Sequence, residues 1–379
     1  MKERSRISAV ILAAGTSTRM GAVKQLLQVD GRPLLQHVLD KVRASAIGEI
    51  ILVLGHAADA IRQELDLEQI NLVINGDYRQ GMGSSLKVGL SAVDPQAKAA
   101  IVVLADQPFV RPATLDRLIR QHSRTGVQIV IPTYHGFRGN PVLLDRSVFP
   151  EVMGLAGDVG CRAIFGDHAE GIVKVPVEDV GILLDIDQPG DYEKLRSTHA
   201  RADALLPAAA LEIRQPPESS APGRGEPELV IVGRDAMAMT LAKLARLMRF
   251  TVTLVDPLLN RSDVPEADRI LHVLDLSLLG PSSDRHVVVA SRGACDEEAI
   301  EQALGTNSSY TGLVANRQSG EQVLRSLERK GVAAEKLAGV RVPAGLAIGA
   351  GCAEEIALSI LAEIVAEKRK SLGSAPGRA

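Results

Sequence analysis

Ile7–Val29, ISAVILAAGTSTRMGAVKQLLQV, is an apolar run that ends at Gly15 and is followed within ten residues by Arg19, Gly21 and Lys24. The plain reading is a turn, since glycine punctuates strand ends. A second reading is a phosphate cradle: glycines permit close backbone approach and the two cations offset anionic charge. The sequence is not a Walker loop, because GxxxxGK[ST] is absent. Working outward, further short β-branched runs recur at 49–55 (EIILVLG), 71–75 (NLVIN), 99–105 (AAIVVLA) and 127–133 (VQIVIPT), with helical patterns between them. That alternation predicts βαβ units and a mainly parallel sheet, hence an α/β fold. One intervening helix places Met82, Leu86, Leu90 and Val93 on a single buried stripe.

At 379 residues the chain suits two domains, because single cores stop growing near about 250–300 residues. The alternation lapses after DIDQPGDYEKLRSTHA. Residues 201–227, rich in Pro, Ala, Ser, Gly and Glu, have a linker composition. A second, smaller Rossmann-like α/β set is expected over 228–370: ELVIVG, a helix with Leu241, Leu244, Ala245 and Met248 on one face, then TVTLVD, HVVVAS and TGLVAN. A last helix buries Ala357, Ile360, Leu361 and Ile364. Residues 371–379 read as a disordered tail.

Composition excludes several classes. The net charge is −3 and aromatic residues make up 2% with no Trp, so nucleic acid is not an expected partner. No apolar stretch is long enough to span a bilayer, and the basic lead before Ile7 runs into Gly15 and Arg19 rather than a small-residue cleavage site. A soluble, cytoplasmic protein without a membrane partner is expected. Cys161, Cys295 and Cys352 lie far apart without metal-ligand spacing and read as packing residues.

In open parallel sheets ligands sit beyond the carboxyl ends of the strands. Three segments qualify: LAAGTSTRMGAVK with Leu12, Ala13, Ala14, Gly15, Arg19, Gly21 and Lys24; LADQP with Asp106; and DIDQPGD with Asp185 and Asp187. Asp106 is a hard oxygen ligand suited to Mg²⁺, or a cap for the helix starting near Pro112. Asp187 reads equally as a metal ligand or as a cap ahead of Pro189. Arg19 and Lys24 have a solvated loop face as their alternative. Asn140 in RGNPVLL is a turn residue or faces substrate.

LAAGTSTRMGAVKQLL, NGDYRQGMGSSLKVGL, LADQPFV, RGNPVLL, GDVGCRAIF and DIDQPGDYEKL stand in the order found in MobA-like NTP transferases, and over about the first 200 residues the series resembles molybdenum cofactor cytidylyltransferases of the MocA type. The resemblance implies a Rossmann-like nucleotidyltransferase domain that transfers CMP from CTP to the terminal phosphate of molybdenum-bearing molybdopterin and releases pyrophosphate. It implies Lys24 beside the α-phosphate, Arg19 beside the β- and γ-phosphates, and Asp106 with Asp187 holding Mg²⁺. Gly83, Ser84 and Ser85, otherwise plain early-helix residues, are implied near a nucleotide or pterin phosphate. Related guanylyltransferases carry LAGG where this chain has Ala13-Ala14-Gly15. The added methyl of Ala14 narrows the space near the base and favours cytosine, although one methyl discriminates by only about 1–3 kcal/mol.

The second half outlines a Rossmann start with Gly233 and, 23 residues on, Asp256 placed to accept ribose hydroxyls. Asp235 and Ala238 stand where the GxGxxG loop needs glycines, and an acid facing pyrophosphate repels it. The region resembles the C-terminal domain of XdhC-like accessory proteins of xanthine dehydrogenase, departing from it at Gly233-Arg234-Asp235-Ala236 and at Ala347. What this implies is a platform that holds the finished cofactor during delivery to a molybdenum hydroxylase. Arg317, Gly349 and Gly351 are candidate phosphate contacts or ordinary surface residues. Three readings result: a transferase fused to a cofactor-handling domain, a non-catalytic cofactor chaperone, or a transferase using GTP or a sugar phosphate.

Overall fold

The computed structural model describes residues 6–17, 20–155, 157, 160–187, 189–197, 211–213, 227–282 and 284–371. Arg19, most of the expected linker and residues 372–379 lie outside this set. The chain divides into two compact units, 1–134 with 138–205 and 135–137 with 206–379.

The first unit starts with β1 (Ile7–Leu12), the small antiparallel pair β2 (Gln28–Val29) and β3 (Arg32–Pro33), and α1 (Leu34–Arg43). It continues through β4 (Glu49–Leu54), α2 (Ala58–Glu64), β5 (Asn71–Ile74), α3 (Met82–Ser91), β6 (Ala99–Leu104), α4 (Pro112–Thr125) and β7 (Ile129–Tyr134). It closes with β9 (Val142–Asp145), α5 (Phe149–Gly154), β10 (Ile172–Pro176) and α6 (Pro189–Ser197), and the two-residue β8 (Phe137–Arg138), which pairs with β7, falls at the unit boundary. The sheet order is β10-β7-β9-β6-β1-β4-β5, with β8 off this path. β1 lies at its heart, parallel to both β4 and β6. β9 is the antiparallel member, wedged between β6 and β7. Sequence periodicity missed β9 and β10 because four- and five-residue strands beside prolines carry too few alternations to register.

Helix α3 lies close over β1. A Cβ on Gly89 would stand 2.3 Å from Val10 Cγ1 and 3.0 Å from Val53 Cγ2, so glycine is what lets the helix approach. Of the predicted stripe, Leu86, Leu90 and Val93 are buried, but Met82 is 41% exposed because it is the first residue of the helix, at the sheet edge.

In the second unit β11 (Leu211–Ile213), β12 (Glu228–Val232), α7 (Ala236–Leu247), β13 (Thr251–Val255), β14 (Arg269–Leu271) and β15 (Arg285–Val289) are followed by α8 (Asp296–Gly305), β16 (Tyr310–Leu313), α9 (Arg317–Arg329), α10 (Ala334–Leu337), β17 (Val340–Arg341) and α11 (Ala353–Ser371). The sheet order is β11-β14-β13-β12-β15-β16-β17, parallel except for β11. Strand β11 falls inside the stretch read as linker; three residues are too few to show a period. Ala357, Ile360, Leu361 and Ile364 are buried as predicted, whereas Met248 lies past the end of α7 and is exposed. Cys161 and Cys295 are buried, but Cys352 is exposed and does not serve packing. Ser371, placed in the tail by sequence, is the last residue of α11. No helix among the described residues is long and apolar enough to cross a membrane.

Candidate functional site

Strand register brings the first two predicted loops together. β1 and β6 run side by side, with Leu12 opposite Leu104, so Ala13-Ala14-Gly15 and Ala105-Asp106 leave the sheet as neighbours. The distant DIDQPGD segment is tied to the same place. The Ile186 N–H donates to the Asp106 carbonyl at 3.1 Å, and the buried Gln107 side chain donates to Asp185. Buried Gln25 donates through Nε2 to the carbonyls of Ala13 and Gly15, at 2.9 and 3.4 Å, and so holds the loop after β1 in shape. The neighbouring Lys24 is thereby aimed inward.

These residues wall a cleft of about 960 Å³. Leu12, Ala13, Ala14, Gly15, Lys24, Ser85, Asp106 and Asp187 all line it. Lys24 Nζ donates to Asp106 Oδ2 at 2.9 Å and to Asp187 Oδ1 at 2.7 Å. Burial is the largest single influence on Lys24 and pulls its pKa down, but attraction to Asp106 and hydrogen bonds to both carboxylates outweigh it, so the ammonium is held above its ordinary value. Asp106 Oδ1 is buried and has no hydrogen-bond partner among the described residues. The cap alternative for Asp106 is not realised: Asp179 accepts from the Arg111 N–H at 2.8 Å and Thr114 Oγ1 at 2.5 Å at the start of α4. Nor does the Asp187 side chain turn toward α6; it faces Lys24, while its N–H donates to Asp191.

Other candidates fall elsewhere. Gly21 (φ 64°), Gly83 and Ser84 are not among the cleft-lining residues. Ser84 is engaged internally: Asn75 Nδ2 donates to the hydroxyls of both Ser84 and Ser85 at 2.9 Å, and Ser84 Oγ donates to the Gly81 carbonyl at 2.8 Å. Asn140 also lies outside the cleft wall and donates its N–H to Ile182. The Ala14 methyl belongs to the core, 3% exposed and turned toward Gly55, where a Cβ would come within 2.9 Å of it and 2.8 Å of Tyr78 Cβ. Tyr78, Arg79 and Gln80, which the sequence reading did not single out, line the cleft, with the Arg79 guanidinium 5.8 Å from the Tyr78 ring centroid. Their signal was their place inside the NGDYRQGMGSS block. Helix α3, capped by Gly81 without a side-chain bond, begins on the same wall with Gly81, Met82 and Ser85, but the Gly83 N–H donates to Gly157 at 3.3 Å and the Ser84 N–H to Gly81 at 3.2 Å.

In the second unit, the place a pyrophosphate takes in a Rossmann loop is occupied by protein. Asp235 Oδ1 accepts from the Ala238 N–H at 2.8 Å, capping α7, and Asp235 Oδ2 accepts from Arg292 Nε at 2.8 Å. Asp256 is 7% exposed and 3.5 Å from Arg234. Burial pushes its carboxyl up to about 6, against the pull of Arg234 and the Leu258 N–H. The Gly351 N–H is taken by Glu355, and Arg317 is an exposed residue at the start of α9.

The model of the MobA-like NTP transferase domain matches residues 9–172, and that of the XdhC Rossmann domain matches residues 229–364. Nicotine blue oxidoreductase of Paenarthrobacter nicotinovorans is 33% identical over 165 residues, 41% of this chain and 79% of that protein. The bifunctional protein GlmU of Trichlorobacter lovleyi is 31% identical over 128 residues, 33% of this chain but only 28% of its own length. The crystal structure of Rv0371c from Mycobacterium tuberculosis H37Rv complexed with manganese is 32% identical, covers 51% of this chain and 99% of that one, and superposes with a TM-score of 0.45. With the loop after β1, the β6 carboxylate and the late DIDQPGD segment gathered at one sheet edge, the chain belongs to the MobA-like NTP transferase family and carries an XdhC Rossmann domain as its second unit.

Proposed function

We propose that this protein is a molybdenum cofactor cytidylyltransferase that acts in the cytoplasm. It transfers CMP from CTP to the terminal phosphate of molybdenum-bearing molybdopterin and releases pyrophosphate. The observation that carries this reading is the Lys24 ammonium bonded to both Asp106 and Asp187 in a cleft at the strand ends. In-line displacement at phosphorus demands positioning and charge neutralisation rather than covalent chemistry from the protein. Lys24 supplies a positive charge for the α-phosphate, the glycine-bordered loop after β1 supplies N–H groups, and Arg19 is assigned to the leaving phosphates.

The acidic pair fits a divalent cation. Asp106 presents a buried oxygen that no donor among the described residues satisfies, and an ammonium already stands between the two carboxylates. Asp106 and Asp187 would hold Mg²⁺, which when bound supplies charge stabilisation across the reacting phosphates. We assign the second unit to holding the product and passing it to a molybdenum hydroxylase of the xanthine dehydrogenase kind; tethering gives such a hand-over a high effective concentration. The carboxylate closing the Asp235 loop argues against dinucleotide binding there, not against this role.

Pyrophosphate release, measured with CTP, GTP, ATP and UTP and with or without molybdopterin, tests the proposal. Release with CTP that requires molybdopterin is the expected result. Release dependent on a sugar phosphate would instead favour the sugar-phosphate reading, and oxidoreductase turnover of nicotine blue without pyrophosphate release would overturn the transferase reading in favour of the activity named for the Paenarthrobacter relative. Binding of molybdopterin without turnover would favour the chaperone reading.

A further inference from the structure

Among the described residues Lys24 is the only hydrogen-bond partner of either carboxylate in the acidic pair. Its Nζ reaches Asp106 at 2.9 Å and Asp187 at 2.7 Å, its side chain is 14% exposed, and Asp106 Oδ1 has no other donor. The ammonium thus sits against both carboxylates that would hold a divalent cation. Two cations cannot share that place without strong repulsion in a partly buried site. Gln25, the residue next to Lys24, is anchored to Ala13 and Gly15, so the lysine backbone is fixed and only its four-carbon stem is left to swing.

Resting on the nucleotidyl-transfer reading above, we infer that Lys24 is the resident counter-cation of Asp106 and Asp187 and makes divalent-cation binding depend on nucleotide. In the free protein the ammonium offsets one of the two negative charges and competes with a metal ion for both carboxylates. A triphosphate entering the cleft offers the ammonium another anion, and only when Lys24 turns to it are both carboxylates released. One side chain then serves two anionic partners in succession, and metal and nucleotide enter together.

The test is a titration of the full chain, free of nucleotide, with Mn²⁺, reading unbound ion by electron paramagnetic resonance. Wild type is compared with Lys24→Gln, which removes the charge, and Lys24→Arg, which keeps it; circular dichroism checks the fold, and Lys24→Met replaces the glutamine variant if that one does not fold. The uncharged variant is expected to bind Mn²⁺ about tenfold or more tightly than wild type, since a like charge has been removed from beside the ion. The arginine variant should stay near wild type, and adding Asp106→Asn to Lys24→Gln should abolish the gain. Equal or weaker Mn²⁺ binding by the uncharged variant overturns this inference alone. Failure of wild type to bind a non-hydrolysable CTP analogue with Mn²⁺ overturns it together with the nucleotidyl-transfer reading.

Discussion

Replacing Asp106 by Asn keeps the shape of the side chain and removes only its charge, which isolates the role proposed for it. At 2.9 Å from Lys24 Nζ, the carboxylate attracts the ammonium by roughly 6 kcal/mol at an effective dielectric of about 20. Desolvation of the two groups, whose side chains are 14% and 26% exposed, offsets part of this. In the proposed reaction the same carboxylate would hold the divalent cation across the reacting phosphates, and removing one charge partner from such a site is expected to cost the transition state about 2–4 kcal/mol. In transition-state units that is roughly a 30- to 1,000-fold fall in kcat/KM for CTP. Folding should be little affected, because desolvation offsets most of the pair in the free protein, Lys24 keeps Asp187 as a partner, and the Asn oxygen still accepts from Lys24. The assay is pyrophosphate release at saturating molybdopterin, with a thermal melt of both proteins alongside. A variant that keeps at least a third of the wild-type kcat/KM with an unchanged melt would refute the assignment of Asp106 to the reacting phosphates, and with it the argument built on this carboxylate.

Three further expectations concern the scaffold. Gly89→Val forces atoms into Val10 and Val53 where no space exists, and should cost about 2–3 kcal/mol in denaturant unfolding; an unchanged midpoint would show that α3 can lift from β1 without loss. Glu228 is buried between Arg285, 2.7 Å from Nε, and Arg269 at 3.0 Å, so Glu228→Gln leaves a buried guanidinium uncompensated and should destabilise the second unit by about 3 kcal/mol, with a loss under about 1 kcal/mol refuting it. Asp256 titrates near 6 in the folded protein rather than at its ordinary 3.8, so the native state holds the proton more tightly than the unfolded chain. Stability should therefore fall as pH rises from about 4 to about 6, by roughly 3 kcal/mol in total, and level off above that window. Asp256→Asn removes that slope, and urea melts of both proteins across the window that differ by a constant amount would contradict it.

Much of this architecture was legible before any coordinates because the signals were local. ISAVILAAG, EIILVLG and AAIVVLA announce strands by uninterrupted β-branched runs, and the glycine, lysine and aspartate positions after them announce a ligand edge. What escaped was whatever depended on partners far away in the chain. Strand β9, antiparallel between β6 and β7, could not be read from its own four residues. The cap alternative for Asp106 stayed open until Asp179 was found in that place, 73 positions further along the chain. The close approach of Gly55 to the Ala14 methyl and Tyr78, both in the cleft wall, likewise joins segments far apart in the chain.

By itself the sequence determined the α/β class, the two-part organisation and the residue types able to meet phosphate, because periodicity and turn chemistry act between near neighbours. Only the tertiary structure decided that Lys24 would sit between Asp106 and Asp187, residues 82 and 163 positions away. Strand register, the Ile186–Asp106 backbone bond and the Gln25 anchor set those distances, and none of them leaves a trace in local sequence, since each is a meeting of segments that folding alone brings within reach.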